Sequence, residues 1–206
     1  MEQRSAEWYS IRLGRVTASR IIDVTAKTKT GWGAGRANYK AQLIAERLTG
    51  QKQDSFTNAA MQWGIDTEAQ ARTAYCFLHD AKVVEEAFVI HPRIEMSGAS
   101  PDGLVGANGL IEIKCPNTAT HIETLKAQEI PPKYVPQMLW QMACCERDWC
   151  DFASFDPRLP EEMQLFVKRL HRDDARIAEL EALVSDFLDE VDEDVAELTK
   201  LYRKAA

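Results

Sequence analysis

The chain has 206 residues, 45% of them hydrophobic and 28% charged, which is enough for one substantial core and lies within the usual size of a single domain. A formal net charge of −7 argues against a polyanionic partner only at first sight, because residues 1–50 carry nine Lys and Arg against four Asp and Glu, while residues 171–206 carry five against eleven. No apolar stretch approaches the ~18 residues that cross a bilayer, the N-terminus has no basic run ahead of an apolar segment, and Cys76, Cys115, Cys144, Cys145 and Cys150 include no CxxC pair; the sequence therefore predicts an unexported protein of a reducing cytoplasm, with no membrane partner, disulfide framework or zinc ribbon.

In chain order, residues 5–23 mix polar and apolar side chains, and Thr17 or Ser19 is placed to cap a short helix ahead of Ile21 and Ile22. The Gly, Thr and Lys content of KTKTGWGAGR, residues 27–36, reads as a mobile basic loop, either solvated or in contact with nucleic acid. Leu43, Ile44, Arg47 and Leu48 recur at helical spacing from Tyr39 to Leu48, with Gly50 as the stop. A second helix, carrying Glu68, is predicted from Asn58 to Leu78 on the spacing of Met61, Ile65, Ala69, Arg72, Tyr75 and Cys76.

The period then changes. KVVEEAFVIHP, EMSGAS, GLVG and GLIEIKCP are short, rich in Val and Ile and punctuated by Gly and Pro, so they read as consecutive antiparallel strands with GANG at 106–109 as a tight turn. A helix from Pro136 to Cys145 and a strand at WCDFASFDP follow. Residues 171–206 form a C-terminal acidic helical segment, and its apolar stripe of Ile177, Leu180, Val184, Phe187, Val191, Val195, Leu198 and Tyr202 packs on its own domain or contacts another subunit. No repeat, low-complexity tract or linker divides the sequence, so residues 1–206 are expected to be one domain.

The stretch SPDGLVGANGLIEIKCP, residues 100–116, sets Asp102, Glu112 and Lys114 on one hairpin. Strand side chains alternate, so Ile111 and Ile113 point into the core while Glu112 and Lys114 share the opposite face. The turn folds the strand end at Asp102 back beside Glu112, and two carboxylates converging on one spot need a cation to offset their repulsion. Hard oxygen ligands suit Mg²⁺ or Mn²⁺, which leave positions for water and phosphate oxygens. A metal so held, with the Lys114 ammonium nearby, orients and deprotonates a water and stabilises charge building on phosphorus, which is what phosphodiester hydrolysis requires. An acidic residue two positions before a lysine occurs about once by chance in a chain of this length, so the hairpin alone is also compatible with an exposed strand face carrying an ion pair of little weight.

Glu68, Asp102, Glu112 and Lys114 follow the order E…D-x9-E-x-K, which resembles the PD-(D/E)xK nuclease superfamily, with SPDG supplying the Pro-Asp. That resemblance implies an α/β, restriction-endonuclease-like fold, a mixed β-sheet flanked by α-helices. A narrower likeness rests on six blocks, EWYSIRLGRVTAS, MQWGIDTEAQAR, SPDG, LIEIKCP, YVPQMLWQM and FASFDPR. In this order and spacing, over residues 5–160, they resemble the phage lambda exonuclease family, the YqaJ-like viral recombinases or alkaline exonucleases that work beside single-strand annealing proteins. The C-terminal helix resembles that family in position and character rather than in sequence, and residues 27–36 differ from it in detail.

The resemblance implies a Mg²⁺-dependent 5′-to-3′ exonuclease. Such an enzyme processively digests one strand of duplex DNA from 5′-phosphorylated ends, releases mononucleotides and leaves a 3′ single strand for annealing-type recombination. It implies a homotrimeric ring around double-stranded DNA, an annealing protein as partner, a bacterial cytoplasm and a phage or prophage origin. Carried over residue by residue, Asp102 and Glu112 would be metal ligands, the backbone carbonyl of Ile113 a further ligand, Glu68 a ligand of a second metal or its water, and Lys114 the group that positions or activates the water. Two Mg²⁺ or Mn²⁺ ions per site follow from that assignment. Arg12, Ser19, Ser100 and Gln137 match the family's pocket for the terminal 5′-phosphate, where a guanidinium gives bidentate charge-assisted bonds and hydroxyl and amide groups complete the shell. Read without the resemblance, Ser19 is a helix cap and Gln137 a polar surface residue. Trp8 is a DNA contact or a core edge, and Met61 an apolar wedge against the terminal base pairs or core filler.

Two other functions stay open. One is another nuclease of the superfamily, such as a restriction endonuclease or a repair nuclease whose iron–sulfur cluster would need four suitably placed cysteines. The other is a DNA-end-binding module without catalysis, against which the complete set of four active-site groups speaks.

Overall fold

The computed structural model describes residues 3–29, 31–53 and 59–202. The N-terminal half contains α1 (Ala6–Arg12), β1 (Val16–Thr17), α2 (Ile21–Val24), β2 (Lys27–Thr28), β3 (Gly31–Trp32), α3 (Ala34–Thr49) and α4 (Ala59–His79). Next come β4 (Val83–Val84), β5 (Val89–Ile90), β6 (Ser97–Ala99), β7 (Gly103–Val105), the central strand β8 (Gly109–Lys114) and α5 (Thr118–Ala127). The last described elements are α6 (Val135–Cys145), β9 (Trp149–Phe155), β10 (Leu165–His171) and α7 (Asp174–Tyr202).

Strands β10, β9, β8, β7 and β4 lie side by side in a mixed sheet, with β8 and β9 parallel and the other neighbours antiparallel. A smaller sheet joins β1, β6 and β5. Alternation along β8 divides the interior. Ile111 and Ile113 pack with Ala71 and Tyr75 of α4 and with Phe155, whereas Leu110 joins Met138, Leu139 and Trp140 of α6, Phe152 and the apolar stripe of α7. A helix that is apolar nearly all round is covered on several sides, and Met138 through Cys144 of α6 are all buried. The face of β8 that carries Glu112 is therefore roofed by α6. Glu112 is 0% exposed, so an open, solvated strand face is ruled out.

Several expected elements are present. Helix α3 stops at Gly50, whose φ of 66° is the left-handed conformation a glycine stop supplies, and α4 spans the second predicted helix, with Asn58 outside the described residues. In α7, Ile177, Leu180, Val184, Phe187 and Val191 are buried as the stripe requires, but Leu198 and Tyr202 are 37% and 80% exposed.

Other expectations change. Residues 27–36 are not one loop: Lys27 pairs with Trp32 and Thr28 with Gly31, the Gly33 N–H closes the hairpin on the Ala26 carbonyl, and α3 has begun by Ala34. Thr17 stands ahead of a single 3₁₀ turn, Ala18–Arg20, but its side chain caps nothing there. The segment KVVEEAFVIHP yields two strands of different sheets, since β4 pairs with β7 and β5 with β6. Helices α1 and α5 and strand β10 were not foreseen, although Ser5 and Asn117 cap the two helices by accepting from the N–H groups of Trp8 and Thr120.

The opposite charges of the two chain ends meet inside the molecule. Arg36 makes two bonds to Glu190, at 2.7 and 2.8 Å, Lys40 lies 2.7 Å from Asp194, and Arg47 pairs with Asp192. Part of the basic N-terminal third thus serves to seat α7 on α3 rather than to meet a ligand.

Candidate active site

Asp102 reaches the site because the β7–β8 ladder ends beside it. Extending the register in which Gly103 faces Ile111 by two residues puts Pro101 opposite Ile113, and proline has no N–H to offer the Ile113 carbonyl. The Ile113 N–H itself donates to Asp102 Oδ2 at 2.6 Å. The N–H and C=O of one strand residue point to the same side, so the Ile113 carbonyl faces the side on which the Asp102 carboxylate lies. The following residue has to be glycine, since a Cβ on Gly103 would come within 2.1 Å of Val83 Cγ1.

Glu112 is held by three partners. Its Oε1 accepts from Gln137 Nε2 and its Oε2 from Gln141 Nε2, each at 2.6 Å, and the Lys114 ammonium pairs with Oε1. Residues four apart share one face of a helix, and the Q-x-x-x-Q spacing of α6 delivers both amides to one carboxylate. Gln141 had not been singled out, and that spacing is the signal that would have found it. Burial disfavours the Lys114 charge, but the carboxylates of Glu112 and Asp102 outweigh it and hold its pKa above the ordinary lysine value. Although partly accessible, Asp102 is surrounded by enough protein that desolvation, followed by the charge of Glu112, raises its pKa well above the usual carboxylate range.

Glu68 stands at the edge of this cluster. Its carboxylate binds Arg72 at 2.7 Å and Arg4 at 3.1 Å, and its charge acts on both Asp102 and Cys115. The Cys115 thiol is pushed up to about 12 by burial and by the charges of Glu68 and Asp102, which keeps it protonated and inert as a nucleophile. Among the described residues no three His, Cys, Asp or Glu side chains are gathered to hold a metal, so the expected convergence of three carboxylates is not formed here. The donor chemistry nonetheless fits one hard cation. Mg²⁺ keeps several waters and is bound through one or two carboxylates plus substrate phosphate, and Asp102, Glu112 and the Ile113 carbonyl supply that set. Recruiting Glu68 would require its arginine pairs to open.

A recess of about 390 Å³, lined by Arg4, Arg12, Arg15, Arg20 and Lys52 with Glu46, lies around Arg12. Arg12 projects from the end of α1, lies 3.9 Å above the Trp8 ring and donates to Ser100 Oγ at 2.9 Å. Trp8 Nε1 donates to the same Oγ and to the Ala87 carbonyl, both at 2.9 Å, so Trp8 acts as the platform of Arg12. Neither bond uses the Ser100 hydroxyl proton. Arg12 has no carboxylate partner among the described residues, and burial pulls its pKa down to about 10. Gly14 fixes the chain between Arg12 and Thr17: its φ is 68°, its N–H donates to Glu46, its carbonyl accepts from Arg47, and a Cβ would come within 2.8 Å of Arg47 Cγ.

Ser19 and Met61 line the same recess, both exposed, Met61 at 50%. Of the residues assigned to a phosphate pocket, Gln137 is the one set against Glu112 rather than Arg12. Since Ser100 and Asp102 are two residues apart, the recess and the carboxylates are adjoining parts of one surface: a guanidinium with no carboxylate partner among the described residues, beside a carboxylate and a buried carboxylate–ammonium unit. Such a surface takes an anion at one end and polarises an adjacent centre at the other.

Comparison with known proteins gives the family. Residues 7–148 match the family described as YqaJ-like viral recombinase domain. The chain is 51% identical to the alkaline exonuclease LHK-Exo from Laribacter hongkongensis, with a TM-score of 0.91 and coverage of 98% of this chain and 100% of that one, and a structure of LHK-Exo in complex with dAMP matches equally well. A phage-related exonuclease from Haemophilus somnus 129PT shares the fold, with a TM-score of 0.71 at 16% identity over 89% of this chain and 96% of that one. No curated protein matches the sequence.

Proposed function

The chain belongs to the YqaJ-like viral recombinase domain family, and on that premise we propose that it is a metal-dependent exonuclease that digests one strand of duplex DNA from 5′-phosphorylated ends in the 5′-to-3′ direction. It releases mononucleotides and leaves a 3′ single strand for annealing. The observation that carries this reading is the adjacency of Arg12, which has no carboxylate partner among the described residues, to the Glu112–Lys114 pair and Asp102. LHK-Exo supports it, since dAMP, found with that relative, is a mononucleotide of the kind such digestion produces.

Asp102, Glu112 and the Ile113 carbonyl would hold a Mg²⁺ or Mn²⁺ ion, with Glu68 reserved for a second ion or its water; a bound ion of this kind lowers the pKa of a water and offsets phosphate charge. The chain's own groups do the rest. Arg12 and the Ser100 hydroxyl donate to the terminal 5′-phosphate, with Ser19 on the rim, and place the next phosphodiester over the carboxylates. Gln137 and Gln141 fix Glu112. Lys114, protonated and pinned by Glu112, holds the attacking water and then faces the charge that develops on phosphorus. Met61 and Trp8 line the path of the terminal base pairs. Three copies closing into a ring would turn contacts of little sequence preference into processivity, and an annealing protein would take the exposed 3′ strand, in the bacterial host of a phage or prophage.

Linear duplexes with 5′-phosphate or 5′-hydroxyl ends, incubated with Mg²⁺ and then with EDTA, test the proposal. Mononucleotides released only from ends, faster from phosphorylated ones and only with the metal, are expected. Internal cuts would point to an endonuclease, and absence of products to a binding module. Light scattering reads the subunit number.

A further inference from the structure

The strand being cut needs a hold beyond the site of cleavage as well as before it. Strands β8 and β9 are parallel, with Lys114 beside Ser154, so the segment that follows β9 emerges at the same edge of the sheet as Lys114. That segment is Asp156-Pro157-Arg158. Asp156 is fully buried and accepts from Arg158 Nε at 2.7 Å, from Nη2 at 2.9 Å and from the Arg158 N–H at 3.0 Å. The guanidinium lies 4.4 Å from the centre of the Trp63 ring, and Nη2 also reaches the carbonyl of Pro116, two residues past Lys114, at 3.4 Å. Trp63 Nε1, on that ring, is buried with no hydrogen-bond partner among the described residues.

Arg158 is thus a cation locked on one edge by a carboxylate and on one face by an indole. Its side chain is still 46% exposed, and Nη1 has no partner among the described residues. A planar fork held in place loses little rotamer freedom when it binds a phosphate, and such pre-organisation is what makes arginine suited to that contact.

We infer that Arg158 is a second backbone-phosphate subsite, which holds the phosphodiester immediately 3′ of the one being cut. The inference rests on the proposed placing of the 5′-phosphate at Arg12. Phosphates follow one another along a strand, so with the first at Arg12 and the second over Asp102 and Glu112, the third has to lie on the far side of Lys114 from Arg12. Arg158 stands on that side.

The test replaces single phosphates with uncharged methylphosphonates at each of the first internal positions and measures single-turnover digestion by the wild type and by Arg158→Ala. A lost charge-assisted bond is expected to slow the reaction by about tenfold. The methylphosphonate 3′ of the cut should slow the wild type by that factor and Arg158→Ala no further, while the other positions should add their effects to that of the variant. Full additivity at every position, or loss of additivity elsewhere, overturns the assignment. Should Arg158→Ala fail to fold with Asp156 deprived of its guanidinium, the wild-type scan decides alone: no slowing at that position overturns the subsite. For folded Arg158→Ala, duplex affinity measured in EDTA should lose about one from its salt slope, which a purely structural arginine would leave unchanged. A wild type indifferent to its terminal phosphate would instead unseat Arg12, a result read separately in the same assay.

Discussion

The end of β8 and the recess around Arg12 adjoin, yet they handle charge in opposite ways. At β8 each negative group is met from within: Glu112 by Lys114, Gln137 and Gln141, Asp102 by the Ile113 N–H. In the recess, Arg12 has a hydroxyl and an indole face but, among the described residues, no carboxylate in direct contact, Glu46 acting on it only from a distance. The groups of the first region are fixed by one another, while the second leaves a guanidinium with room for an anion. Damage to the first should therefore fall on the chemical step, and damage to the second on the choice of DNA end.

The sharpest break in that contrast is Lys114→Ala. Single-turnover cleavage should fall by about 10² to 10³-fold or more, the scale of losing one pre-organised charge-stabilising group, while duplex affinity in the presence of Ca²⁺ changes little. A parallel loss of binding would mean that the two regions are not separable. Arg12→Ala should reduce digestion of 5′-phosphorylated ends by roughly 10 to 100-fold, the worth of a hydrogen bond to a charged group, and leave 5′-hydroxyl ends near the wild-type rate. An unchanged preference for phosphorylated ends would remove Arg12 from the pocket.

Gln141→Leu probes the internal balance of β8. It strips a donor from a carboxylate that is 0% exposed, and an unsatisfied buried group costs about 1–3 kcal/mol. In a chain of this size that lowers the melting temperature by roughly 2–10 °C, readable by calorimetry, with a smaller loss of activity than Lys114→Ala. The smallest effect is a pH dependence. Burial and the charge of Glu112 raise the folded-state pKa of Asp102, so its contribution to metal-free stability is complete at low pH and is lost as pH rises through that raised value. A divalent cation favours the ionised form and should restore the loss, so the rise in melting temperature on adding Ca²⁺ should amount to a few degrees. It should grow with pH and vanish in Asp102→Asn. A shift independent of pH would show that Asp102 is not what the ion meets.

How much of this was legible in sequence depended on the range of the interaction. Glu112 and Lys114 followed from strand alternation, and Asp102 from a turn of known length, because both are local rules. The recess came from the resemblance alone: Arg12 and Ser100 are 88 positions apart, and no spacing rule links them. The same distance hid the pairing of α3 with α7, so the basic N-terminal third read as surface awaiting a ligand when Arg36, Lys40 and Arg47 were already engaged. The hairpin at residues 27–32 was missed because glycine and threonine mark turns and loops alike, and only its cross-strand register tells them apart. The burial of Glu112 was unreadable for a related reason, since β8 alone does not reveal that α6 covers it.

The seating of α7 has a consequence for how a nucleic acid approaches. With the basic face of α3 spent on its neighbour, Glu179, Asp186, Asp189, Glu193 and Glu197 remain on the solvent side of that helix, and a polyanion is turned away from the whole flank. Orientation is then decided before touch, by the field of the molecule rather than by trial collisions. At about 0.1 M ionic strength the reach of that field shrinks to roughly 10 Å, so fresh encounters with a nucleic acid should become rarer as salt rises well before close contacts are lost.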